Sequence, residues 1–303
     1  MLSNHNPSKR HVWPVLKRAG LAFYDDQMTH HAAALTYYCL MSLFPVALLS
    51  LSLLGVLGQY PETYEAIISY LRDVIPATAI DSIDASLREA LSSRNTAAIG
   101  VFISIVLALY GTTGALEAAR RALNVAFEIE NGRSFLRRKA NDIVVTFILL
   151  GLILTIFMAM FLGGTFAADI FGFIGLGGTG HDIWTGVRWP LAGIAAMLVF
   201  SLIYYYVPDV EHRAFRWTTP GAVVGVLAWL VISLLFSYYV SRVADVGAVY
   251  GAFAGAIVLI GWLWLTNVSL LFGAEVNAEI EREREMAEGV PPSETLTLPA
   301  KTD

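Results

Sequence analysis

The stretch YDDQMTHHAAALTYYCLMSLFPVALLSLSLLG, Tyr24 to Gly55, opens on two carboxylates and two imidazoles and then turns almost wholly apolar. Asp26 and His30 are four residues apart, a spacing that puts them on one helix face and would let them share a metal ion. Read as a whole, the same stretch is the threshold of a membrane helix, because no charged residue occurs from Ala32 to Pro61. The rest of the chain decides between the two.

Of 303 residues, 56% are hydrophobic and 15% charged, against about 45–50% apolar and 25% charged in soluble domains. Five further uncharged stretches follow the first: Asn95 to Leu116, Ile143 to Ala168, Trp189 to Pro208, Trp217 to Ser241 and Val246 to Ala274. Each reaches the roughly 20 residues that cross a hydrocarbon core. Period-two alternation is missing, which argues against a barrel. The expected fold is therefore all-α, a polytopic membrane protein with a bundle of six transmembrane helices over residues 32–277. Residues 1–31 are expected as a cytoplasmic segment, and 278–303 as a solvated acidic helix extension with a disordered tail. The first apolar run begins too deep for a cleaved signal peptide. The single cysteine, Cys39, excludes an intramolecular disulfide.

Positive charges set the orientation. Fifteen of the twenty Lys and Arg fall before the first span, between the second and third, after the fourth and after the sixth. Only Arg72, Arg88, Arg94, Arg188 and Arg242 fall on the other side, so both termini are expected in the cytoplasm. The outer connection from Pro61 to Arg94 spaces Ile67, Leu71, Val74 and Ile75 as amphipathic helices do. The basic inner connection from Ala118 to Asn141 reads as a surface helix or turn that can rest on anionic lipid heads.

Helix breakers have positional meaning. Pro45 should kink the first span. Thr218, Thr219 and Pro220 form a cap followed by proline in the first turn, a sharp start for span five. Gly247, Gly251 and Gly255 recur every fourth residue and offer span six a face for close helix packing, a role also assigned to Pro220 and Gly221. Polar groups in the spans, among them Thr36, Tyr37, Thr112 and Asn267, can line a polar path or bond neighbouring helices. Glu117, Arg120 and Arg121 end span two, and Glu275 and Asn277 end span six, at one expected cytoplasmic interface. Charges there are costly unless paired or wet, so Glu275 is expected to engage Arg120 or Arg121.

Catalytic signals are weak. No third or fourth ligand follows Asp26 and His30 at a recognisable spacing, and HExxH, GxSxG and a Walker lysine are absent from the sequence. The opening acids and imidazoles are thus read as a solvated surface helix. Gly175, Gly177 and Gly180 match GxGxxG formally, yet no strand precedes them, and the reading is a flexible turn. No metal, no cofactor and no nucleic-acid partner is expected.

Three segments together resemble one family: AAALTYYCLMSLFPVALL in span one, PGAVVGVLAWLVISLLFSYYV in span five and VYGAFAGAIVLIGWLWLTNVSLLFGAEVNAEIE in span six. They are similar to the YihY/virulence factor BrkB family over roughly residues 15 to 285. The resemblance implies a prokaryotic inner-membrane protein with six transmembrane helices. It also implies Tyr37, Pro45, Pro220, Gly221, Tyr250, Gly251, Gly273, Glu275 and Asn277 as signature positions. Family members were long labelled ribonuclease BN, but this sequence offers no carboxylate or histidine set for catalytic metals and no basic domain for RNA. The expectation is a non-enzymatic, transporter-like protein that moves a small solute, an ion or an envelope lipid among the membrane lipids. A noncatalytic scaffold is the alternative.

Overall fold

The computed structural model describes residues 12–56, 94–129, 134–161, 177–211, 219–242 and 253–289, with 291, 296 and 298. Among the described residues the fold is all-helical, with seven helices: α1 (Val12–Asp25), α2 (Met28–Val56), α3 (Arg94–Ala126), α4 (Phe135–Phe161), α5 (Gly177–Tyr206), α6 (Pro220–Arg242) and α7 (Ala254–Ala287). Each of the six expected spans has a helix over most of its length, and α1 precedes them. The expected outer amphipathic helices, together with Gly247, Tyr250 and Gly251, lie outside the described residues. Pro45 lies within α2.

The ends of these helices follow from local chemistry. The α1–α2 break at Asp26 and Gln27 uses a left-handed residue, Gln27 at φ 53°. Helix α3 stops at Glu128, also left-handed at φ 56°, and α7 ends before Gly289 at φ 99°, the conformation that glycine adopts without a Cβ penalty. At the start of α6 the Thr219 hydroxyl accepts from the Ala222 amide at 3.1 Å, and Pro220 needs no partner for an N–H it lacks.

Three expectations are corrected. The inner connection is not a separate surface helix: α3 runs on to Ala126 and carries Leu123 into the core, and Phe127 just beyond it is buried too. Gly177 and Gly180 belong to the first turn of α5 rather than to a flexible turn. The tail contributes Leu296 and Leu298 to an apolar cluster with Phe127, Val210 and Ala278, so this part is packed. Its anchor is the Leu296 amide, which donates to Glu128 Oε2 at 2.7 Å.

The chain forms two compact units. One comprises Met1–His31, Ala119–Leu230 and Val268–Asp303; the other comprises Ala32–Ala118 and Val231–Asn267. In the second unit α2 and α3 approach closely. A Cβ on Gly111 would lie 2.9 Å from Ser42 Cα, and one on Gly114 would lie 2.6 Å from Tyr38 Cδ1. In the same unit α6 meets α7 where Trp262 Nε1 donates to Ser233 Oγ at 3.3 Å.

Candidate functional site

The first unit holds most of the buried charge. Arg120 of α3 forms an ion pair with Asp142 of α4, and its Nε lies 3.9 Å from Asp209 Oδ1; the three residues are 3%, 2% and 0% exposed. The same Nε donates to the Val207 carbonyl just past the C-terminus of α5, at 3.3 Å. A planar guanidinium suits this task, because its several donors can serve a carboxylate and a helix-end carbonyl together. Asn124, one turn along α3, clamps Asp209 from both sides: its Nδ2 donates to Oδ2 at 3.1 Å, and its Oδ1 accepts from the Asp209 amide at 2.9 Å. One arginine thus faces two aspartates.

The second feature is a close seam between α6 and α7. A Cβ on Gly221 would meet Gly273 O closer than any real contact, and Asn277 Oδ1 at 2.6 Å. One turn on, a Cβ on Gly225 would lie 3.1 Å from Ser269 O. Into this seam Tyr204 of α5 sends its hydroxyl to donate to Leu270 O at 2.6 Å. Asn277 closes the end of the seam: its Oδ1 accepts from the Gly221 amide at 2.9 Å, and its Nδ2 donates to Thr219 Oγ1 at 3.0 Å. It therefore satisfies one of the orphan donors at the start of α6.

The third feature is an acidic cluster where the α1–α2 turn meets α7. Glu275 is 1% exposed, and its Oε1 has no hydrogen-bond partner among the described residues. Facing it is another carboxyl, that of Asp26, in side-chain hydrogen-bond contact. Burial pushes the Asp26 carboxyl above its ordinary value; the charge of Glu128 adds to the rise, and the contact with Glu275 opposes it. His31 is held below its ordinary value by burial, with the charge of Asp26 opposing. The arginines of this region serve other acids. Arg18 binds Glu279 at 2.8 Å and Glu283 at 2.7 Å, and Arg282 pairs with Glu128 and lies 3.5 Å from Glu279.

In the second unit, one buried polar pair joins two apolar helices. Asn267 Nδ2 of α7 donates to Thr36 Oγ1 of α2 at 3.1 Å, while the Thr36 hydroxyl donates back to Ala32 O at 2.7 Å.

The structure sorts the residues singled out from sequence. Arg120, Asn267 and Glu275 are buried, Glu117, Thr112 and Asn277 are half-buried, and Tyr37 and Arg121 are exposed. Glu275 does not engage Arg120 or Arg121; its contact is Asp26, because the α1–α2 turn reaches α7 there and Arg120 is engaged with Asp142. Gly255, expected on a packing face, is exposed and would bring a Cβ near no atom among the described residues; the glycines packed between α6 and α7 include Gly221, Gly225 and Gly273. The acidic extension of α7 is helical, yet Glu275, Glu279 and Glu285 are buried rather than solvated. Asp142 and Asp209 escaped the sequence reading. Their signal was weak: one acid lies just before the start of a span, and the other just beyond the end of another. Among the described residues no group of three or more His, Cys, Asp or Glu could hold a metal ion.

The family model described as Virulence factor BrkB matches residues 21–296. The chain belongs to this family. Among BrkB relatives, one from Bacillus subtilis (strain 168), named ribonuclease-like protein YfkH, is 29% identical over 86% of this chain and 92% of its own length. A UPF0761 membrane protein of Pseudoalteromonas translucida is 25% identical over 86% of this chain and 83% of its own. One of Rhodospirillum centenum is 25% identical over 89% of this chain, which spans only 58% of that longer protein. No solved structure matches. The BrkB chain is a membrane protein, in keeping with its relatives' names and with two described helices, α6 and α7, long and apolar enough to cross a bilayer.

Proposed function

We propose that this BrkB protein is a six-span inner-membrane transporter, both termini cytoplasmic, that moves a small solute, an ion or an envelope lipid. On this reading it is not an enzyme, and its partners are membrane lipids and that solute or lipid rather than nucleic acid. One observation carries the proposal: Arg120, Asp142, Asp209 and Glu275 are each at most 3% exposed, while many large apolar side chains, among them Leu234, Leu235, Tyr238 and Phe253, are exposed. Ionisable groups buried in a membrane bundle are costly and mark solute or ion paths more often than they serve packing. The helices would rearrange so that buried polar groups such as Asn267 and Thr36 meet one side of the membrane and then the other.

Purified protein in liposomes tests this directly, by solute-dependent swelling, by ion flux and by scrambling of a labelled lipid. One class of cargo should move, and Arg120→Ala that still inserts should stop it. Folded protein that moves nothing leaves the scaffold. RNA cut with added magnesium by wild type, and not by Asp142→Asn, would instead carry over the name of the Bacillus relative. Reporters fused after Met286 and within Phe127 to Arg138 should read cytoplasm, and those near Ile80 or Thr179 the outside.

A further inference from the structure

Buried acceptors in proteins are almost always met by donors. Glu275 breaks the rule in an informative way. Its Oε1 is buried and has no donor among the described residues, and the group opposite is the carboxyl of Asp26. Two ionised carboxylates cannot hydrogen-bond to each other, and like charges at that range cannot both persist away from water. One proton resolves both problems, since it gives one carboxyl an O–H to donate and leaves a single negative charge for the pair.

The surroundings make that charge hard to double. Asp26 is faced by Asp25 from α1, His31 from α2 and Glu128 from the end of α3; Glu275 is faced by Glu279 of its own helix and by Glu128. His31 is mostly neutral near pH 7, since burial holds it below its ordinary value. The cations nearby are engaged with other acids, Arg18 with Glu279 and Glu283, Arg282 with Glu128 and Glu279. Asp26 itself sits in the turn between α1 and α2, which has Gln27 at φ 53°.

We propose that Asp26 and Glu275 form a proton-binding site that holds one proton between two carboxyls, and that its loss releases the α1–α2 turn from α7. Protonated, the pair is a neutral acid hydrogen-bonded to a carboxylate, with a net charge of about −1. When the proton leaves to water, both carboxyls carry a charge, the hydrogen bond is gone, and repulsion parts the turn from the helix. On the transporter reading above, this proton is the coupling ion. The site and its switch do not depend on that reading.

Infrared spectroscopy of the purified full-length protein reads the site without any cargo. Titrated from about pH 5 to about pH 9, wild type should keep the C=O stretch of a protonated carboxyl above the range where ordinary carboxylates ionise. Glu275→Gln and Asp26→Asn should each remove that band, whereas Glu283→Gln should leave it. Asp26→Asn, at a half-buried turn, decides the matter if Glu275→Gln does not fold. A wild-type protein without the band, or a band untouched in both variants, overturns the site. Loss of the band on adding sodium but not potassium would replace the proton by a sodium ion and overturn it equally.

Hydrogen exchange of the peptide Tyr24 to Ala32 reads the switch. Corrected for intrinsic chemistry, its opening should rise by up to about tenfold per pH unit across the titration, as release of one proton requires, and Asp26→Asn should flatten it. The band without the opening would keep the site and overturn the switch. Both without any flux in liposomes would keep this proposal and remove the transporter.

Discussion

Two stretches of α7 follow opposite rules. From Ala254 to Trp264 the helix turns Ile257, Ile260 and Trp264 outward, and the large residue just before it, Phe253, is exposed too. From Asn267 onward it buries Leu271, Ala274, Val276 and Ala278, and with them Glu275, Glu279 and Glu285. In water the first arrangement would be a defect and the second would be worse. In a bilayer the first is the ordinary state of a helix whose outer face meets lipid, and association depends on packing and polar contacts rather than on hiding leucines. One helix thus shows where this protein spends its apolar surface and where it keeps its chemistry.

The sharpest way to break that contrast is at Arg120. Arg120→Ala leaves Asp142 and Asp209 buried without their cation and should destabilise the protein by about 3–5 kcal/mol in detergent unfolding. Arg120→Lys should recover only part of it, since an ammonium lacks the fork. Loss below about 1 kcal/mol would mean that water reaches this site.

On the outward face the test runs in reverse. Leu234 of α6 is 71% exposed. Leu234→Lys, harmless on a soluble surface, should impair membrane insertion by about 3 kcal/mol, while Leu234→Ala should change little. Normal accumulation of the lysine variant would show that this face does not meet lipid.

Next in size is the α6–α7 seam. Gly221→Ala places a methyl against the Gly273 carbonyl and should cost about 1–3 kcal/mol, the range for overpacked cores. Gly255→Ala, whose methyl would meet no atom among the described residues, should be neutral or slightly stabilising. Equal melting for the two would remove the seam.

The smallest effect is electrostatic. Asp26 has a folded-state affinity for protons above its unfolded one, so the folded protein binds more protons in the window between its unfolded value and its raised folded value. Its contribution is present below that window and is lost as pH rises through it. The melting temperature of wild type should fall across the window, and Asp26→Asn should lessen the fall. A steeper fall in the variant would contradict the sign.

How much of this was legible follows from what each feature requires. A span needs only length and apolarity, both properties of a contiguous stretch, and the runs beginning at Ala32 and Trp217 announce α2 and α6. The Thr219–Pro220 cap is equally local. Packing is not: the four-residue spacing of Gly247, Gly251 and Gly255 marks a face but not whether a helix lies on it. The seam uses Gly221, which the sequence assigned to packing, with Gly225, which it did not, opposite Gly273. The contact of Asp26 with Glu275 joins residues at opposite ends of the chain, and the sequence places Asp26 in a polar run that reads as solvated. The tail misled by composition, because two leucines among threonines and prolines are too few to signal a docking contact, yet they find the Phe127 cluster.

The central claim is that buried polar groups in these helices become reachable during function. It is tested most directly by a cysteine at position 267 in a Cys39→Ser background, labelled with a membrane-impermeant thiol reagent in right-side-out and inside-out vesicles. Since Asn267 is buried, Asn267→Cys should label slowly from at least one side and faster when cargo or a pH gradient is applied, while Leu234→Cys should stay unreactive. Equal silence at both positions under every condition would contradict it and leave a packed, static scaffold.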